Sequence, residues 1–131
     1  MDELLKSRFL SLYSMVMADG VAEAAELETL YRIGRDNYQL SPEEISKNVL
    51  AAGKNFIVPD SMEDRISILY EMAEIACADG KIDKTEKSLL SKYAVRLGFL
   101  EENADGIADF MLQQVTDGVS LKEVVDEIMN A

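Results

Sequence analysis

Ten residues of this chain recur at an interval of sixty. Met17-Ala18-Asp19-Gly20-Val21-Ala22-Glu23-Ala24-Ala25-Glu26 returns as Cys77-Ala78-Asp79-Gly80-Lys81-Ile82-Asp83-Lys84-Thr85-Glu86. Each copy interrupts an apolar stretch with Asp-Gly and places acidic residues four and seven positions beyond the Asp. A spacing kept through so much side-chain change implies duplicated backbone geometry. It sets six carboxylates, Asp19, Glu23, Glu26, Asp79, Asp83 and Glu86, at equivalent positions.

The stretches around the repeat carry apolar residues at helical intervals. Leu5, Phe9, Leu12 and Val16 form one stripe, and Leu27, Leu30 and Ile33 with Gly34 form the next. Ser41-Pro42-Glu43-Glu44 is a capping box with Pro at the first helical position, predicting a short helix through about Ala52. Gly53 to Asp60 reads as a linker. Ser61 then starts a helix with Ile66, Leu69, Tyr70, Ala73 and Ala76 on its inner face, and Asp83 starts another carrying Leu90, Tyr93, Ala94 and Leu97 to near Gly98. Glu101 to Gln114 follows, with Ile107, Phe110 and Met111 expected inward. Ser120-Leu121-Lys122-Glu123 is a further capping box opening a last helix with Leu121, Val124, Val125 and Ile128. No segment alternates as a strand. The fold class is therefore all-α, a single bundle of about seven helices over residues 1–131. Its repeat halves are expected at about 1–52 and 61–115, with an extra C-terminal helix at about 120–130. The sixty-residue offset also lays Leu30 on Leu90, Ile33 on Tyr93 and Leu40 on Leu100.

Composition narrows the chemistry. The 131 residues include no histidine and one cysteine, Cys77, which removes an internal disulfide, the usual catalytic triads and most zinc or copper sites. Any metal would be held by oxygen: Ca²⁺, Mg²⁺ or Mn²⁺. No organic cofactor is called for. The formal net charge is −12, and from Phe99 onward eight acidic residues face one Lys. Such a surface repels phosphate backbones and anionic headgroups, so nucleic acid and membrane surfaces are not expected partners; a basic protein surface or a cation is. No apolar run approaches the roughly 20 residues of a membrane span, and the N-terminus opens with Asp2 and Glu3 rather than a secretory signal. A cytoplasmic location is expected.

The repeated carboxylates have two competing roles. Asp83 with Glu86 is an ordinary capping pair, and Glu23 with Glu26 a poorer one, because Glu is not a favoured N-cap. Gly20 and Gly80 suit left-handed helix ends. Asp19 and Asp79 are then placed in a last helical turn, where the macrodipole disfavours negative charge, so each needs a partner: a backbone N–H of the following turn, a Lys or Arg, or a cation. An EF-hand does not account for them. Asp79 to Glu86 fits the second part of a twelve-residue Ca²⁺ loop, but its first and third positions would be Ile75 and Cys77 in one copy and Met15 and Met17 in the other.

Two Ala-Asp-Gly motifs, each ending an apolar helix and followed by Glu seven residues after the Asp, resemble the tellurite-resistance TerB-like domain family. The resemblance runs from about Leu4 to Gln114. It rests on Ala18-Asp19-Gly20 with Glu26, on Ala78-Asp79-Gly80-Lys81-Ile82-Asp83 with Glu86, and on Leu97-Gly98 at the close of the second unit. The first copy departs from the pattern, with Val21-Ala22-Glu23 where Lys-Ile-Asp stands in the second. The resemblance implies a helical bundle with its acidic motif residues on one surface. It also implies a non-enzymatic metal-binding or protein-interaction module, found alone or fused to partners such as J-domain co-chaperones, in bacterial stress and tellurite-resistance systems. Carried over by position, the metal-site candidates are Asp19, Glu26, Asp79 and Glu86, with Glu23 and Asp83 as lesser members and no catalytic residue. Tellurite chemistry itself does not follow, since the chain lacks the thiols a soft element favours.

Overall fold

Seven helices and no strand make up the described residues, 2–52 and 56–130, of the computed structural model: α1 (Glu3–Val16), α2 (Ala24–Tyr38), α3 (Pro42–Ala52), α4 (Met62–Ala76), α5 (Lys84–Arg96), α6 (Glu101–Thr116) and α7 (Leu121–Met129). The first part of the expected linker, residues 53–55, lies outside the described residues. The all-α expectation holds, and the helices that begin after Asp2, Ser41, Ser61, Asp83 and Ser120 start where capping chemistry puts them, whereas α2 and α6 begin without a side-chain cap. Leu5 N–H donates to Asp2 Oδ1 at 2.7 Å, and Asp64 N–H to Ser61 Oγ at 3.2 Å. At Ser41 the box is complete, with Glu44 N–H on Ser41 Oγ and Ser41 N–H on Glu44 Oε1. At Ser120 it is half formed: Glu123 N–H reaches Ser120 Oγ, but the Glu123 carboxylate takes the Ser120 hydroxyl instead of its backbone N–H.

Within α1–α3 each helix touches the other two. So does each helix within α4–α6. Helix α4 is central, touching α1, α2, α5, α6 and α7. Phe9, Leu12, Leu30, Ile33, Ile66, Leu69, Met72 and Leu90 are fully buried in one continuous core fed by all seven helices. Gly34 belongs to the packing as much as to α2: a Cβ there would collide with the Ile45 side chain and press on Phe9. The halves are also joined by a buried polar knot. Glu71 of α4 accepts from Arg8 of α1 at 2.6 Å, from Asn37 of α2 at 3.0 Å and from the Tyr38 hydroxyl at 2.9 Å. Burial first, and the Glu71 charge second, push the Tyr38 hydroxyl well above the ordinary tyrosine range.

One expectation needs correction. Leu40 is buried but Leu100, its partner by the sixty-residue offset, is 62% exposed. Helix α2 turns left-handed at Gln39 (φ 55°) and α5 at Gly98 (φ 98°), so the offset drops to fifty-nine and Leu40 corresponds to Phe99. On α6 the expected inward residues do face the core, Met111 fully buried and Ile107 and Phe110 half-buried against it. On α7 only Val124 is fully enclosed.

Candidate acidic site

Both Asp-Gly turns follow one plan. Helix α1 closes at Val16 with Met17 as its cap, and α4 at Ala76 with Cys77. Gly20 (φ 85°) and Gly80 (φ 77°) then take the left-handed conformation, which Gly adopts without steric penalty. Asp19 and Asp79 lie beyond the helices, in the connecting turn, and not in a last helical turn. Each finds the partner that charge requires in the following backbone: Val21 N–H donates to Asp19 Oδ1 at 3.0 Å, and Lys81 N–H to Asp79 Oδ1 at 2.9 Å. These are Asx turns, the local bond that favours Asp at such positions.

The helix starts after the turns differ between the copies. Asp83 caps α5 in a full box: Glu86 N–H donates to Asp83 Oδ1 at 2.8 Å, and Asp83 N–H to Glu86 Oε1 at 3.1 Å. Glu23 holds the N-cap position of α2 in the same extended backbone conformation, yet its side chain makes no capping bond. It stays exposed.

Glu26 and Glu86 meet. Each is the third residue of its helix, and each lies on the buried stripe, four residues before Leu30 or Leu90 and seven before Ile33 or Tyr93. They are 2% and 4% exposed, and their carboxyls lie close enough for each to shift the other's titration. Two carboxyls this close bond only if one carries a proton, and the stronger push toward the protonated form falls on Glu26. Burial first, then the bond to Glu86, then the charges of Glu86, Asp19 and Asp79, push its carboxyl up to about 8. Glu86 is raised less: burial lifts it, while its hydrogen bonds to Glu26 and to the Asp83 backbone hold it down. Glu26 Oε1 has no hydrogen-bond partner although it is enclosed. An orphaned polar atom of that kind carries a desolvation penalty of about 1–3 kcal/mol.

Of the six sequence candidates, Glu26 and Glu86 are in contact, and Asp19 and Asp79 lie close enough for their charge to act on Glu26. Asp83 is bonded to Glu86, and Glu23 stands apart. Among the described residues no group of three or more Asp, Glu, Cys or His side chains is arranged to hold a metal ion. Cys77, at the end of α4, is half-buried against Leu112 O and Thr116 Oγ1. Burial pushes its thiol up, away from a reactive thiolate. Sequence reasoning did not anticipate Glu71. Its signal was a carboxylate flanked on both sides by apolar pairs, in Leu69-Tyr70-Glu71-Met72-Ala73.

A duplicated Ala-Asp-Gly turn feeding two buried glutamates on neighbouring helix starts defines a class of small acidic all-helical module. Residues 55–109, which span α4, α5 and the first part of α6 with the whole second copy of the motif, match the family described as Tellurite resistance protein TerB. The chain carries a TerB-like domain. No curated protein and no solved structure matches it. The first copy of the motif lies outside the matched residues, in keeping with its departure at Val21-Ala22-Glu23. No helix among the described residues is long and apolar enough to cross a membrane.

Proposed function

We propose that this chain is a non-enzymatic, cytoplasmic binding module of the TerB-like type, serving a stress- or tellurite-resistance-type system. Its Glu26–Glu86 pair exchanges the proton it holds for a hard divalent cation. The observation behind this is the orphaned, enclosed Oε1 of Glu26 beside a second carboxylate, in the field of Asp19 and Asp79. Oxygen donors of this kind suit Ca²⁺, Mg²⁺ or Mn²⁺. Among the described residues no three Asp, Glu, Cys or His side chains are grouped to hold an ion, so uptake requires loss of the Glu26 proton and movement of the exposed Asp19 or Asp79 turn toward the pair.

Calorimetric titration with Ca²⁺, Mg²⁺ and Mn²⁺ in two buffers of different ionisation enthalpy tests it. The expected result is a heat that differs between buffers by close to one proton per ion, and is lost in Glu26→Gln and Glu86→Gln. Heats identical in wild type and both variants would remove the proposal.

A second reading is favoured by the hydrogen bonds that Asp19, Asp79, Asp83 and Glu86 already make to nearby backbone. In that reading the carboxylates are structural caps and turn-formers, and the module is a scaffold for a protein partner with a basic surface. Nucleic acid and membrane insertion stay outside both. Melting separates the two: under the scaffold reading Glu86→Gln lowers the midpoint equally with and without divalent ion, whereas under the first the deficit widens when the ion is present.

A further inference from the structure

Helices α6 and α7 carry more apolar surface than the core uses. Ile107 and Phe110 lie on the expected inner stripe of α6, yet they are half-buried, as is Ile128 of α7. With Phe99 they line an open groove of about 500 Å³ between the two helices, and Glu102 and Glu127 stand on its walls. The groove exists because α7 packs chiefly on α4, through Val124, leaving Ile128 on its next turn only half-covered.

Gly106 also lines the groove and is the least expected residue in it. It sits inside α6, where Gly weakens a helix relative to Ala. Nothing within this chain requires it: its φ is not positive, and a Cβ built there would meet no atom within 4 Å. A helix-interior glycine with open space above it, on the floor of an apolar groove, leaves room for another backbone to approach closely.

We propose that this groove is the docking site for a basic amphipathic helix of a partner protein. The proposal rests on the basic-partner reading above and is independent of any cation. Charge selects the occupant. The chain from Phe99 onward has eight acidic residues against Lys122, so a second copy would set like charges against each other, and an anionic membrane surface would do the same. A helix with apolar anchors at i, i+3, i+4 and i+7 and Lys or Arg on its flanks satisfies both the floor and the rim.

The test uses the full chain and a fluorescein-labelled synthetic helix of Leu and Lys in amphipathic order. Two further peptides serve as controls: one with Glu replacing Lys, and one with the same Leu and Lys scrambled. Binding is read by fluorescence anisotropy at low and high salt. The expected result is saturable binding of the amphipathic Leu/Lys helix alone, weakened but not abolished by salt. Gly106→Leu should weaken it at least ten-fold without lowering the melting midpoint, and Gly106→Ala less. Absence of binding by any cationic peptide would overturn the basic-partner reading and the groove together. Binding that Gly106→Leu leaves unchanged would overturn the groove alone, and so would equal binding of the scrambled peptide. A concentration-dependent dimer by light scattering, abolished by Gly106→Leu, would also overturn the proposal by making a second copy the occupant.

Discussion

The proton held between Glu26 and Glu86 should make this protein less stable as pH rises through neutrality, and Glu26→Gln should remove that trend. In the unfolded chain Glu26 titrates near its ordinary value of 4.5, whereas in the fold its carboxyl is raised to about 8. Between those values the folded state binds one more proton than the unfolded state, so stability is greatest below pH 4.5 for this group and falls as pH climbs toward 8. The limiting slope for one proton is about 1.4 kcal/mol per pH unit. From pH 6 to 7.5 the wild type should therefore lose about 2 kcal/mol relative to Glu26→Gln, whose amide donates to Glu86 at every pH. For a domain of this size that corresponds to roughly 6–10 °C in the melting midpoint. Glu86, also raised and coupled to Glu26, makes the difference between wild type and variant a reading of the proton the pair holds together, and few other groups intrude. The chain has no histidine, and burial moves the Cys77 thiol up out of the range. The raised Glu74 is common to both proteins and cancels in the difference. Thermal melts by circular dichroism in metal-free buffers from pH 5.5 to 8 provide the measurement. Parallel curves for wild type and variant would refute the reasoning, because they would mean that Glu26 is already ionised in the folded state.

The Arg8–Glu71 knot should be costly to break from one side: Glu71→Ala leaves the Arg8 guanidinium enclosed without its carboxylate, for a loss of about 3–5 kcal/mol in urea denaturation, while Tyr38→Phe removes one hydrogen bond and should cost about 1 kcal/mol. Gly34→Ala, which would stabilise an isolated helix, should instead destabilise by about 1–3 kcal/mol through overpacking against Ile45. Adding Ile45→Val, which deletes the Cδ1 atom in the way, should recover most of that loss in the same assay.

How much of this was legible in sequence depended on whether a feature was local. Capping residues act within three positions of themselves, so Ser41, Ser61 and Asp83 located their helices correctly, and the apolar stripes of α1, α2, α4 and α5 turned inward as their spacing required. On α6 and α7 the apolar residues also face the core, but Ile107, Phe110 and Ile128 are only half-covered, because periodicity gives the face of a helix and not how much of it a partner covers. Register past the first motif slipped by one residue, because α2 ends on a left-handed Gln39 and α5 on Gly98 at non-equivalent positions. The acidic site was legible as a list and illegible as an arrangement. Asp19 and Asp79 looked unexplained because they were placed on a helical turn; one step further along, their own backbone satisfies them. Glu86 looked like a cap and is one. Glu26 looked like its weaker copy, yet its i, i+4, i+7 relation to Leu30 and Ile33 put it on the buried face, which should have marked it as the residue in need of a proton or an ion.

The difference between Glu26 and Glu86 traces to one methylene. In the second copy, Asp83 caps α5, and its backbone N–H occupies Glu86 Oε1. In the first copy, Glu23 holds the same place with similar backbone angles but forms no cap, and an enclosed oxygen of the Glu26 carboxylate is left without a partner. Glu23→Asp should therefore rebuild the missing box. Its shorter carboxylate would accept the Glu26 N–H, drawing the Glu26 side chain back onto the N–H of residue 23 as in α5. The helix gains about 1 kcal/mol from the cap, and the orphaned oxygen gains a donor that favours the ionised form, lowering the Glu26 pKa. The expected outcome is a higher melting midpoint at pH 7.5 together with a flatter decline between pH 6 and 8. Each half has its own meaning. A midpoint that rises by the same amount at pH 6 and pH 8 would show the cap restored with the proton undisturbed, and would sever the link drawn here between the missing cap and the trapped proton.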